Sequence, residues 1–169
     1  SQGEQLGLTQ VDIPFEKLQD PEAIANWPLT LSRDGTRTPM PWLSDAVNSG
    51  FSSAEPWLPL GDDHKAMAVD IQETDAHSML ALTRKLIAFR NANEAMLVGD
   101  LNIIEAQSNL LIFERRSVNQ HLIYAFNMSS GAVDWQPAQP DRWRMVKSVN
   151  DAVLESLPPY AAMVMEKIA

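Results

Sequence analysis

The sequence predicts a mixed fold: a loop-rich front half that ends in one long helix, followed by an all-β antiparallel sandwich. Three observations carry this expectation. Residues 74–93 hold the one extended apolar stripe at helical spacing. From Met96 onward the pattern switches to short apolar runs separated by turn residues. Ahead of both lies Ser32-Arg33-Asp34-Gly35-Thr36-Arg37-Thr38-Pro39-Met40-Pro41-Trp42, which fits neither period.

Bulk properties remove several function classes. A chain of 169 residues forms one domain, or one domain plus a piece. The formal charge is −9 with no basic run, which argues against a nucleic-acid partner. There is no cysteine, hence no disulfide framework and no thiolate chemistry, which fits a reducing, cytoplasmic setting. No apolar run approaches the roughly 20 residues of a membrane span. No signal-peptide pattern opens the chain. His64, His77 and His121 form no metal spacing, and no Gly-rich phosphate loop is present. Neither a metal nor a cofactor is expected.

In chain order, Gly3 and Gly7 allow tight backbone turns. Asp20-Pro21-Glu22 is a helix start, with a cap, a proline at the first helical position and an acid in the first turn. The helix runs to about Trp27, where Pro28 stops it. Asp34-Gly35 reads as a turn, and the residues before Pro39 and Pro41 are forced extended. The result is a rigid loop presenting guanidinium groups, planar forks suited to a carboxylate or to sugar hydroxyls. Residues 43–70 show little periodicity, and an irregular stretch of that length is more often functional than accidental. Trp42, Trp57 and Trp27 are read as packing anchors for this loop rather than as sugar platforms.

The long helix over 74–93 is expected to take Thr74 or Asp75 as its cap. Its stripe is Met79, Leu82, Leu86 and Phe89, widened by Leu80 and Ile87. Strands are expected at 101–106, 110–115, 121–127, 132–135, 143–149 and 161–167. The breaks between them include Gln107-Ser108-Asn109, Ser129-Ser130-Gly131 and Pro158-Pro159. Short strands so punctuated suggest an antiparallel sandwich. The boundary is expected near residues 91–99, dividing the chain into 1–93 and 94–169.

Arg33-Asp34-Gly35-Thr36-Arg37-Thr38-Pro39-Met40-Pro41-Trp42 resembles the R-D-x-x-R-T-P-M-x-W signature of the α-glucosidases and oligo-1,6-glucosidases of glycoside hydrolase family 13, the α-amylase superfamily. Gly50-Phe51-Ser52 and Pro56-Trp57-Leu58-Pro59 stand where that family has its G-F-[ST] and P-W-[IL]-x segments. Gln2-Gly3-Glu4-Gln5-Leu6-Gly7 is similar to its Y-Q-G-E-E-[LI]-G strand end, with Gln5 in place of the second acid. Residues 82–90 resemble its Y-[RK]-K-L-I-x-L-R helix. The likeness is strong over 2–90 and rests on pattern alone beyond.

The resemblance implies the C-terminal end of a (β/α)8 barrel: the tail of strand eight, the loop after it and helix eight. An all-β domain C with a Greek key follows. Such barrels carry their active-site loops on this face. Because the chain opens at Ser1 directly on a strand-eight motif, it is expected to be the C-terminal fragment of a longer enzyme. Family members cleave or transfer α-glucosidic bonds with retention, using two carboxyl groups roughly 5 Å apart. Those motifs fall upstream of residue 1, so no catalytic residue is expected in this chain, and the chain alone is expected to be inactive.

What remains is a substrate-binding edge. By resemblance, Arg33 is the arginine that reaches glucose in the innermost pocket and pairs with an acid across the barrel. Asp34 and Arg37 brace the loop. Gln10 stands near the position of an acid that contacts the aglycone. The partner in the intact enzyme is an α-glucoside. Two alternatives accompany this reading: a stand-alone β-sandwich that binds glycans, and a purely structural β module. Leu82, Leu86 and Phe89 on helix eight would lose their barrel partners in the isolated chain, so a homodimer through that surface is expected.

Overall fold

The computed structural model describes residues 2–29, 32–107 and 109–168. Ser108, in the expected break between the first two strands, lies outside them, as do Ser1, Thr30, Leu31 and Ala169. Two compact units, Ser1–Ile87 and Ala88–Ala169, divide the chain within its long helix. No helix among the described residues is long and apolar enough to cross a membrane.

The first unit is built from short helices and turns. The motif likened to a strand end is a single 3-10 turn, Glu4–Leu6, between Gly3 and Gly7 at φ 104° and 74°. Two left-handed glycines with three residues between them leave no room for extended backbone there. Helix α1, Pro21–Asn26, starts where Asp20 caps it and ends at Trp27. A 3-10 turn spans Arg33–Thr36 and others span Val47–Gly50 and Asp62–Met67. Helix α2, Val69–Glu73, was not foreshadowed by any apolar period.

The long helix, α3, spans Met79–Ala92 and is shorter than 74–93. Thr74 and Asp75 do not cap it. Asp75 accepts from the His77 N–H at 2.8 Å, closing a turn of its own. Ser78 caps α3 instead: its hydroxyl accepts from the Ala81 N–H at 3.1 Å. Gln72 joins three segments here. Its amide donates to the carbonyls of Leu6 and Met67, both at 2.9 Å, and accepts from the Leu80 N–H at 3.0 Å. Leu6, Met40 and Leu80 bury against one another beside it.

The tryptophans correct the packing-anchor expectation. Trp27, Trp42 and Trp57 are 47%, 45% and 62% exposed. Aliphatic neighbours fill the interior instead, Leu58 packing with Ile13, Leu18 and Ala23.

In the second unit, α4 (Glu94–Val98) follows α3 and leads into β1 (Asp100–Ala106), β2 (Leu110–Arg116) and β3 (His121–Asn127). The chain then leaves the sheet for β4 (Val133–Asp134), returns as β5 (Trp143–Val149), leaves again for β6 (Ser156–Leu157) and ends in β7 (Ala162–Lys167). The main sheet is antiparallel in the order β1-β2-β3-β7-β5, with β4 and β6 forming a second, two-stranded sheet. β6 was not expected, and β4 is shorter than 132–135, because each pairs over two residues only.

Alternation explains the layers. Ile112, Ala125, Met163 and Met165 face one way and pack with Leu157 of the small sheet. Leu122, Tyr124 and Val164 face the other way and pack with Ala95 and Phe89. The strand β3 is therefore apolar on both faces, which is why its sequence reads as a run.

Asn127, buried at the end of β3, ties the two sheets together. Its amide donates to the carbonyls of Gly131, Leu157 and Pro158, and its oxygen accepts from the Ser129 N–H and hydroxyl. Asn127→Ala leaves the buried Leu157 carbonyl without this donor and frees the part-buried Pro158 contact, and is expected to cost about 2 kcal/mol of stability. Urea unfolding followed by circular dichroism checks this. A change near zero would show that the small sheet does not depend on this amide.

Candidate functional site

The arginine-bearing loop has almost no ladder hydrogen bonds, so its backbone donors need side-chain partners. Two carboxylates supply them reciprocally. Asp34 is fully buried, and its Oδ2 accepts from the backbone N–H groups of Gln19 at 2.6 Å and Asp20 at 2.8 Å. Asp20 is buried too, and its Oδ2 accepts from the Arg33 N–H at 3.1 Å and from Arg33 Nε at 2.8 Å. Arg33 Nη2 donates to the other oxygen, Oδ1. Ser32 closes the turn by accepting from the Asp34 N–H at 3.0 Å.

Gly35 is required by close approach. A Cβ there would stand 2.2 Å from the Val11 carbonyl oxygen. The Val11 N–H donates to the Gly35 carbonyl at 3.0 Å. Gln10 is spent on the same junction, its amide donating to the Ser32 carbonyl at 2.9 Å.

The four residues singled out from sequence thus fall into two groups. Arg33, Asp34 and Gln10 belong to the clamp. Within this chain the acid that holds Arg33 is Asp20, 13 residues earlier, and the arginine's side chain stays 61% exposed. Its Nη1 has no hydrogen-bond partner among the described residues. Arg37 stands apart. Its Nη1 lies 4.0 Å from Asp34 Oδ1, beyond hydrogen-bond reach, and its side chain is half exposed.

A cavity of about 550 Å³ opens beside this loop, its lining including Thr36, Arg37, Thr38, Trp42, Phe51 and His64. Arg33 and Gln10 are not among its lining residues, and Glu4 is the one carboxylate that is, among the described residues. His64 is buried. Its Nε2 meets the Thr9 carbonyl at 3.0 Å, so Nε2 carries the proton there. Nδ1 is buried without a hydrogen-bond partner. No group of three or more His, Asp or Glu side chains able to hold a metal occurs among the described residues.

Two contacts near this loop had no signal in the sequence. Asp20 was legible only as a helix cap, because its second partner is 13 residues away. His64 carried no signal, because the carbonyl that fixes it is 55 residues away.

The glycine-pinned arginine loop and the antiparallel β unit that follows it are parts that the resemblance to glycoside hydrolase family 13 implies. Comparison with known proteins agrees. The model of the α-amylase catalytic domain matches residues 1–99. A probable α-glucosidase of Rhizobium meliloti (strain 1021) is 44% identical over 131 residues, covering 78% of this chain and 24% of that protein. A salivary α-glucosidase of Aedes aegypti is 36% identical over 118 residues, covering 68% of this chain and 20% of the relative. Among solved structures, the α-glucosyl transfer enzyme XgtA superposes with a TM-score of 0.88 at 36% identity, over 98% of this chain and 32% of that one. The chain belongs to the α-amylase family, glycoside hydrolase family 13. It spans about a quarter of the length of the curated relative it matches in Rhizobium.

The clamp has a pH signature. The hydrogen bonds from the Arg33 guanidinium outweigh burial and hold the Asp20 carboxyl well below the usual carboxylate range. A depressed folded-state pKa stabilises the fold above the unfolded value of 3.8, and that contribution is lost as pH falls below it. Thermal unfolding of the wild type should therefore lose more stability between about pH 4 and pH 2 than Asp20→Asn does. Parallel curves for the two proteins would show that Asp20 titrates as an ordinary carboxylate.

Proposed function

We propose that this chain is the carboxyl-terminal portion of a retaining α-glucosidase acting on α-glucosidic bonds of small oligosaccharides. It supplies a glucose-site arginine and a β domain, while the catalytic acids lie in a portion of the enzyme outside this chain. The observation that carries this reading is the Arg33 geometry. Asp20 holds Nε and Nη2 from behind, so the guanidinium is fixed in direction while Nη1 stays available to a sugar hydroxyl. A donor fork fixed before substrate arrives loses little entropy on binding. Retaining hydrolysis needs two carboxyl groups roughly 5 Å apart, and the cavity beside the loop is lined by Glu4 alone of that kind, among the described residues. The relatives named as α-glucosidases support the substrate class.

In the complete enzyme, Arg33→Ala should lower kcat/KM on p-nitrophenyl α-glucoside at least tenfold, about 1.4 kcal/mol in the barrier. The pure 169-residue chain should show no turnover of the same substrate. Wild-type rates in the variant would refute the arginine's role, and turnover by the chain alone would refute the placement of the acids.

We also infer self-association of the isolated chain. Of the three residues expected to be left uncovered, Leu86 is exposed, Leu82 is half-buried and Phe89 packs with Ala95 and Tyr124; Met79 and Ile87 of the same helix are exposed as well. Exposed apolar surface of this kind drives association. Light scattering should report a dimer at micromolar concentration; a monomer that stays monomeric on concentration would count against it.

A further inference from the structure

The edge strand β1 is the least anchored strand of the main sheet. It pairs with β2 on one side only, and that ladder shifts register between Ile103 and Glu105. Every residue of β1 except Glu105 is exposed, so little burial holds it. A strand with few buried contacts opens locally at a lower cost than the whole domain unfolds. One side-chain hydrogen bond among the described residues ties β1 to the sheet: Asn102 Nδ2 donates to Glu114 Oε1 of β2 at 3.1 Å. The other oxygen of that carboxylate, Oε2, accepts from His121 Nε2 of β3 at 2.6 Å. His121 in turn meets Trp143 of β5 in a T-shaped contact, with ring centroids 5.0 Å apart. A single carboxylate thus links three strands, and through the indole a fourth.

An ionised carboxylate only accepts, so both of its partners donate. His121 keeps a donor at Nε2 in this contact whether its ring is neutral or charged. A proton on Glu114 acts differently. The oxygen that takes it becomes a hydroxyl, a weaker acceptor, and the charge that draws Asn102 and His121 is gone. Burial on its own would raise the Glu114 carboxyl, but the hydrogen bonds from His121 and Asn102 and the nearby Arg116 charge outweigh it and hold the group below its ordinary value of 4.5. A depressed folded-state value stabilises the contact above 4.5, and that contribution is lost as pH falls through the folded-state value. By register, the other charged groups on this face are Arg116 opposite Asp100, Glu105 further along β1, and Lys167 opposite Trp143. None of these four hydrogen-bonds to Glu114, whose partners are Asn102 and His121.

We propose that Glu114 is an acid-released latch on the edge strand. Ionised, it holds Asn102 of β1 and His121 of β3 on one carboxylate; protonated, it lets β1 open while β3, β7 and β5 stay paired. The device belongs to the second unit and holds whatever the first unit binds.

The test is amide hydrogen exchange of the 169-residue chain, read by NMR as protection factors, which remove the chemical dependence of exchange on pH. The quantity followed is the protection of β1 relative to β3. In the wild type this ratio should fall about tenfold between about pH 6 and pH 3, with the midpoint at which the Glu114 side-chain ¹³C carboxyl resonance titrates. Glu114→Gln should show the lowered ratio already at pH 6 and no further change on acidification. Glu105→Gln, which removes an acid of β1 that makes no printed contact with the latch, should follow the wild-type profile. Circular dichroism at neutral pH checks the fold of each variant. The proposal is overturned if the wild-type ratio is flat with pH, if its midpoint departs from the Glu114 titration, if Glu114→Gln keeps the wild-type profile, or if Glu105→Gln abolishes it. Should Glu114→Gln not fold, the wild-type ratio and its midpoint decide alone.

Discussion

Two buried carboxylates hold each other's backbone, and the front unit depends on that exchange. Asp34 receives the N–H groups of Gln19 and Asp20, and Asp20 receives the N–H and guanidinium of Arg33. Burying a carboxylate costs several kcal/mol unless hydrogen bonds or a counter-charge offset it. Here each acid is offset by the segment that carries the other. These hydrogen bonds tie the two segments together without a sheet or a long helix between them. Gly35 is the geometric condition, since any side chain there would strike the Val11 carbonyl.

The arrangement turns a structural need into a functional one. A lone arginine on an exposed loop samples many rotamers, and ordering it costs free energy when a ligand binds. Asp20 removes much of that freedom in advance while leaving part of the guanidinium unengaged. The β unit is built on a different principle. Its central strand is apolar on both faces, covered by the small sheet on one side and by Phe89 and Ala95 on the other. Stacking of Phe113 on Tyr124, with ring centroids 4.6 Å apart, fills that second side. Tyr124 carries its hydroxyl into this core without a partner, and burial pushes its pKa up to about 12.

What the sequence disclosed follows the range of the forces involved. β3 and β5 were legible to the residue, because period-two alternation and flanking turns are local. Helix α1 was legible for the same reason, its cap and proline being adjacent. Ser78 was obscured as the cap of α3 because Thr74 and Asp75 offer the same chemistry a few residues earlier. β6 was obscured because two residues pair only through the register of β4. The second role of Asp20, the burial of His64 and the exposure of the tryptophans are set by partners far along the chain. No window of sequence contains them.

The most direct measurement is a crystal structure of the complete enzyme with a bound α-glucoside. The account predicts that Arg33 Nη1 lies within hydrogen-bond distance of a sugar hydroxyl while Nε and Nη2 remain on Asp20. A sugar bound with no contact to Arg33, or an Arg33 released from Asp20 to reach it, would contradict the claim that this loop grips glucose through an arginine oriented beforehand.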